Sequence, residues 1–449
     1  MNFLTLYFAV FFIIILFLLS RITDVKVRNV VLLLGNLVFL SLGDVRCLAV
    51  IITESIICYF SALKTEKDKA EGRSGKTCLI PTVIMLILVL AVVKYFVIAG
   101  SLGISFYSLM MISYTVDVYR GKMKAEKDAL AVFLYFSFFP HIMSGPITKA
   151  RDMMGQFKEL YPITKAGIYS GMQIFLTGAL KKVLIADRLK VCSDAIYGDP
   201  GMYSGLSLFL GTICYTIQLY CDFSGYTDMA AGVATAMGFK LARNFDLPYI
   251  AKNPTETWKR WHISLSSWLQ EYVYISLGGN RRGKIRQYIN LILTMIVGGL
   301  WHGASWTYVL WGIQCGIGLC AHKIYSGLKK KRTAKENRFI DAVKIAFTYL
   351  YFTAGTVIFR SERLADAVTI FKRIFTMAPG VRYYYVYFFI YLIFVAAGYA
   401  VAGIKNGMHG FYVNLNLDLF RFRVLFLFTV LIVVIYGYFG NNVFIYAQF

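Results

Sequence analysis

The sequence predicts an all-α, polytopic membrane protein, and three observations carry that reading. Of 449 residues, 58% are hydrophobic and 16% charged, against about 25% charged in soluble proteins. Apolar windows near the roughly 20 residues that a membrane helix needs recur from end to end. There are about 11 to 13 of them, some too short or too broken to be simple spans. The net charge of +23 sits in short loops between those windows, at Lys64–Lys76, Arg120–Lys127, Arg281–Arg286 and Lys329–Lys335. Cationic loops of this kind mark the cytoplasmic side and its anionic headgroups, so membrane lipids, not nucleic acid, are the partner of this charge.

The first window, Phe3–Leu19, has no basic residue before it and no small-residue cleavage site after it. It reads as a membrane helix and not as a cleaved leader. Val30–Leu42 and Leu48–Leu63 follow. With Arg21, Lys26, Arg28 and the Lys64–Lys76 loop inside, the N-terminus and the Gly43–Arg46 turn lie outside. Leu79–Ile98 then leads out, and Leu102–Val118 returns to the basic Arg120–Lys127 loop.

Beyond that loop the alternation fails. Asp128–Ser144 contains Pro140 and is followed by Lys149 and Arg151. Gly167–Leu180 lies between Lys165 and the run Lys181, Lys182, Arg188 and Lys190. Both ends of each segment look cytoplasmic. The middle of the chain is therefore predicted to hold segments that enter and return, or helices on the inner face, around a shielded cavity. After the basic stretch Lys323–Arg338, three further spans are predicted at Ile340–Phe359, Tyr384–Ile404 and Val424–Phe439. The chain divides into N-terminal helices (1–98), a core (99–330) and C-terminal helices (331–449) within one integrated membrane domain. The eight cysteines form no C-x-x-C pair and lie mostly in apolar segments. They are predicted to be small buried hydrophobes, with neither a disulfide framework nor a metal site.

His302 is the residue that most strongly points to chemistry. From Gln287 to Ala321 there is no Lys, Arg, Asp or Glu. An ionisable ring at membrane depth costs several kcal/mol unless it is useful or paired. A neutral imidazole can take a proton from a hydroxyl, as acyl transfer to an alcohol requires. These 35 residues would measure about 52 Å as one helix, against a hydrocarbon core of about 30 Å. The segment must break, at Gly298-Gly299 or at Gly303, and a polar residue beside a broken membrane helix is a recurring site arrangement.

A second stretch begins at Asn253. Asn253 suits an N-cap, Pro254 the first helical position, and Glu256 can reach back to the cap. Trp258, Trp261, Leu265, Trp268, Tyr272 and Ile275 then recur at helical spacing as one apolar stripe, which His262 flanks. An interfacial amphipathic helix accounts for the tryptophans better than for His262. The following turn, Gly278-Gly279-Asn280-Arg281-Arg282-Gly283-Lys284, lacks the spacing of a phosphate-binding loop. It can attract donor phosphates or simply signal topology. Asp222 and Asp228 fall on different faces of a helix and are expected to pair with an Arg or cap a helix. His141, near Pro140, is read as structural.

Four ordered strings resemble the membrane-bound O-acyltransferase family, and most of all its bacterial alginate O-acetyltransferase branch. They are Asn244–Tyr249, Trp258–Leu269, Tyr274–Arg281 and Gly298–Gly303. Gly103–Phe106, Asp117–Gly121, Asp222–Tyr226 and the tail Phe444-Ile445-Tyr446 extend the likeness. Lys259 stands where the branch commonly has Arg, and Ala447 where it often has an aromatic. The resemblance implies a ring of helices around a funnel or tunnel in a bacterial plasma membrane. It also implies that His302 is the catalytic histidine and that His262 occupies a second family position. Asn244, Trp258, Arg260, Trp261, Trp301 and Arg281 are assigned to substrate or donor binding from the same strings. The implied donor is acetyl-coenzyme A or another acyl thioester arriving from the cytoplasm, with no permanently bound cofactor. The implied acceptor is a cell-surface polysaccharide, or a secreted or membrane-anchored partner, on the outer side. D-alanyl transfer toward teichoic acid is the near alternative, and transport of a lipid or acyl group without chemistry the distant one.

Overall fold

The structure is a computed structural model that describes residues 3–96, 103–328, 337–383, 393, 397, 417–439 and 444. His409, nearly all of the predicted span Tyr384–Ile404, and the tail residues Ile445, Tyr446 and Ala447 lie outside the described residues. So do the boundaries drawn at 98/99 and 330/331.

Among the described residues every named element is helical. Five helices open the chain: α1 (Leu6–Arg21), α2 (Val25–Ser41), α3 (Arg46–Ala70), α4 (Lys76–Tyr95) and α5 (Ile104–Tyr119). Each coincides with a predicted window. Thr5 and Asp24 cap α1 and α2, their side chains accepting from the N–H of Phe8 and Val27. The outward faces of α1 to α4 are rich in exposed Leu, Ile, Val and Phe, as lipid contact requires. Helix α5 is buried almost all round.

The middle of the chain is broken, as the failed alternation predicted. Asp128–Ser144 forms two short helices, α6 (Ala129–Ser137) and α7 (Phe139–Ile142), and α8 (Ala150–Met153) follows. Next come α9 (Lys165–Ala179), a π turn over Leu180–Ala186, and α10 (Asp187–Gly198), which run on as one rod. This rod lies along α11 (Gly205–Ala236), 32 residues and mostly buried. Gly178 and Gly225 meet there, each so close to the other's carbonyl that a Cβ would sit 2.4 and 2.7 Å from it.

The rod corrects the reading of Lys181 and Lys182 as a cytoplasmic flank. Both side chains are buried. Lys181 reaches Asp228 at 2.5 Å, and Lys182 reaches Asp222 at 2.5 Å and Asp187 at 2.9 Å. Asp222 and Asp228 do find cationic partners, but these are lysines and not arginines. Paired charges can stay inside where unpaired ones cannot.

The single helix expected from Asn253 to Ile275 is also corrected. It is α12 (Pro254–Arg260), then α13 (Ile263–Trp268) and a π turn over Leu269–Tyr274. The break falls at His262, whose backbone is left-handed (φ 41°). The predicted cap holds, since the Asn253 side chain accepts from the Glu256 N–H. Glu256 reaches back one residue further than expected, to the Lys252 N–H at 2.9 Å.

Four helices end the described chain before its last short stretch: α14 (Lys284–His302), α15 (Trp306–Leu328), α16 (Arg338–Arg360) and α17 (Leu364–Phe375). The last is α18 (Phe420–Tyr436). By length and hydropathy α3, α4, α11 and α16 can each cross a membrane alone. Among the described residues the other apolar windows form helices that are shorter, broken or less apolar, the mixture that the sequence predicted.

Candidate active site

Helix α14 rises from the basic turn at Arg281–Arg286 and ends at His302, its 19 residues spanning about 28 Å. The predicted break is at Gly303, where the chain turns extended before α15 starts at Trp306. Glycine is needed at 303 for space: a Cβ would lie 2.5 Å from the Tyr308 ring. The two helices then pack as a close hairpin. A Cβ on Gly299 would lie 2.2 Å from the Tyr308 carbonyl, and one on Gly312 2.5 Å from the Met295 carbonyl.

His302 is only 2% exposed. Its ring is walled by Trp301, Trp311, Phe359 and Tyr308, with centroids 4.8, 5.3, 5.0 and 6.3 Å away. His262 also neighbours Trp301, at 6.0 Å from that indole, and is edge-on to Phe223 at 4.6 Å. The two histidines thus share one tryptophan as a neighbour. Trp301 is itself fixed, its Nε1–H donating to the Ser105 carbonyl at 2.9 Å.

Two cavities approach this cluster. One, of about 510 Å³, lies between α12–α13 and the α14–α15 hairpin, with Lys259 and Lys323 on its wall. Its inner wall includes Trp258 and Met295, which pack with Trp311. The other, of about 350 Å³, is lined by Tyr308 and Phe359 together with Asp194, Tyr215, Gln218 and Arg360. His302 lines neither directly. One layer of side chains, Tyr308 and Phe359, separates it from the second cavity, and two, Trp258 with Met295 and then Trp311, separate it from the first.

The remaining predicted site residues divide by position. Trp258 faces the first cavity. Asn244 is buried and pins the His262 turn: its carbonyl accepts from the Ile263 N–H at 2.9 Å, and its Oδ1 from the Ser264 hydroxyl at 2.6 Å. Arg260 is half-buried, donating to Glu256 at 2.9 Å and to the Asp246 carbonyl at 3.0 Å. Trp261 packs into an aromatic cluster with Phe245 and Phe352, at 5.1 and 4.9 Å. Arg281 is exposed on its glycine turn and lines neither cavity. His141 is buried and bonds the Tyr135 carbonyl at 2.9 Å, a structural role, and His322 meets the Thr255 hydroxyl at 2.8 Å. Among the described residues no group of three or more His, Cys, Asp or Glu could hold a metal ion.

Sequence reasoning missed the far wall of the site, Tyr308, Trp311 and Phe359, because aromatics in apolar spans carry no distinguishing signal. It also passed over Lys94, a lone cation inside an apolar window, which is a readable signal. Lys94 reaches the carbonyl of Trp301.

Beside the basic Arg120–Lys127 loop α13's π turn is fastened electrostatically. Glu271 takes Lys122 and Lys149, and Arg151 at 3.0 Å. Burial pushes its carboxyl up, but hydrogen bonds from these three cations outweigh that and hold it well below the ordinary range.

Comparison with known proteins agrees with this architecture. A model of the membrane-bound O-acyltransferase family matches residues 122–365. A probable alginate O-acetylase AlgI of Pseudomonas fluorescens is 38% identical over 359 residues, covering 78% of this chain and 71% of its own length. A peptidoglycan O-acetyltransferase of Helicobacter pylori is 32% identical over 385 residues, covering 76% of this chain and 72% of its own. A teichoic acid D-alanyltransferase of Bacillus subtilis is 27% identical over 273 residues, 58% and 69% of the two chains. The chain belongs to the membrane-bound O-acyltransferase family and is a bacterial multi-pass membrane enzyme that transfers acyl groups to hydroxyls.

Proposed function

We propose that His302 is the general base of an acetyl transfer from a cytoplasmic thioester to a hydroxyl presented on the outer side. One observation carries the reading: His302 ends a broken membrane helix, one layer of side chains from one cavity and two from another. His302 accepts the hydroxyl proton as the oxygen attacks the thioester carbonyl. The tetrahedral oxyanion collapses, the C–S bond breaks, and the departing thiolate takes the proton from His302. General-base help of this kind is worth about 10²- to 10⁴-fold. His262, which neighbours the same Trp301, is suited to donate to the oxyanion.

The donor proposed is acetyl-coenzyme A. A cavity of about 510 Å³ suits the pantetheine arm, while Lys259 and Lys323 suit the phosphates. The second cavity mixes tyrosines with Gln218, Asp194 and Arg360, a lining suited to a sugar hydroxyl or to a side chain of an acyl-carrying partner. The acceptor proposed is therefore a cell-envelope polysaccharide, directly or through a secreted or membrane-anchored partner. D-alanyl transfer has weaker support, since the D-alanyltransferase likeness is lower and covers less of the chain. Transport without chemistry gives way to the family's activity.

The test uses purified protein with radiolabelled acetyl-coenzyme A, reading thioester cleavage and acyl transfer. His302→Ala is expected to stay monodisperse in detergent and to lose turnover by at least about 10²-fold. Full turnover in that variant refutes the assignment. Cleavage of a D-alanyl carrier thioester, with none of acetyl-coenzyme A, would replace the proposed donor.

A further inference from the structure

Helix α14 ends at His302, so its last carbonyls lose their intrahelical donors. Inside a membrane such groups must find partners from the protein. Two of them are met by α4. The Tyr95 hydroxyl donates to the Leu300 carbonyl at 2.9 Å, and the Lys94 ammonium donates to the carbonyl of Trp301. Lys94 also lies 3.4 Å from the Ser105 hydroxyl and 5.2 Å from the centre of the Trp301 ring. Ser105, through its carbonyl, holds the same indole. Lys94 and Ser105 therefore form one clamp on Trp301, the residue that precedes His302.

A hydroxyl would satisfy a carbonyl at far lower cost than an ammonium, as Tyr95 does one residue away. A lysine within an apolar membrane helix is costly, and Lys94 stands in the last turn of one. Charge must therefore matter here. The C-terminal end of a helix carries roughly half a negative charge. That end sits at His302, where acyl transfer builds a negative tetrahedral oxygen. An uncompensated helix terminus repels that oxygen. An ammonium on the terminal carbonyl offsets it.

We infer that Lys94 is a positioning residue of the acyl-transfer site: it clamps Trp301-His302 at the end of α14 and neutralises the negative helix terminus beside the reacting centre. This rests on the assignment of His302 as the base. It also gives the N-terminal helices, which carry no motif of their own, a direct part in the reaction.

The experiment compares Lys94→Met, Lys94→Gln, Lys94→Arg and His302→Ala in the full-length protein, assayed with acetyl-coenzyme A and read as kcat and KM separately. Lys94→Gln keeps a donor without the charge, and serves if Lys94→Met does not purify as a single species. The expected result is a fall in kcat of about 10²-fold for Met and Gln, the scale of a small misplacement at a reacting centre. KM should stay within about twofold, and Lys94→Arg should retain most of kcat. A merely structural lysine would lower the yield of folded protein and leave kcat per folded molecule intact. Wild-type kcat in folded Lys94→Met or Lys94→Gln, with His302→Ala inactive, overturns the role of Lys94 alone. An active His302→Ala overturns the base assignment and this inference with it.

Discussion

Lys181 and Lys182 survive inside the protein because each finds a carboxylate on α11, opposite the π turn that carries them. Such a pair is weak evidence of net stability, since desolvation offsets most of the attraction, but breaking one partner leaves a bare charge. Lys181→Met is therefore expected to destabilise the protein by about 3–5 kcal/mol, read by thermal unfolding in detergent. Lys181→Met combined with Asp228→Leu should recover most of that loss. Equal loss in the single and double variants would mean that the pair itself holds the helices together. His262 follows a different residue-scale logic. A left-handed backbone costs a non-glycine residue roughly 1–2 kcal/mol, and here Asn244 holds the turn by bonds from Ile263 and Ser264. The sequence showed that His262 did not belong to the tryptophan stripe. It could not show that the stripe breaks there, because the φ is imposed by partners 18 and two residues away.

The α14–α15 hairpin is the element on which the site depends. Its break was legible from arithmetic, since 35 uncharged residues exceed the membrane's thickness as one helix. Its closeness was not, because only the packed structure sets Gly299 against the Tyr308 carbonyl and Gly312 against the Met295 carbonyl. Small residues let membrane helices approach in this way. Gly312→Val places methyl groups where backbone already stands, so it should splay the hairpin and shift Trp311 and Tyr308 from His302. The expected outcome is loss of most turnover, about tenfold or more, with a lowered unfolding temperature. Unchanged turnover in Gly312→Val would show that the hairpin tolerates separation.

At the scale of the molecule, the N-terminal helices, the broken middle and the hairpin converge on one point, with Lys94, His262 and His302 contributed by three different regions. A separate tie is made by Glu271, which gathers Lys122, Lys149 and Arg151 from two other stretches of chain. Because its carboxyl is held below the ordinary value of about 4.3, its contribution is complete above that pH and drains away as pH falls below it. Glu271→Gln should lower the unfolding temperature by several degrees, about 2–8 °C, at pH 7. The difference should shrink progressively below about pH 4. A difference independent of pH would assign the effect to packing and not to charge.

Hydropathy, charge placement and helix length are local properties. From them the chain alone determined the membrane class, the spans of α1 to α5, the break after His302 and the prominence of that imidazole. Partners brought together across hundreds of residues are not local. Only the tertiary structure decided that Lys181 and Lys182 are buried, that His262 sits in a left-handed turn, that two cavities approach His302 and that Lys94 reaches the end of α14. The physical reason is the same in each case: a charge or a strained backbone is tolerated in a low-dielectric interior only when a remote partner compensates it, and sequence spacing does not record which partner that is.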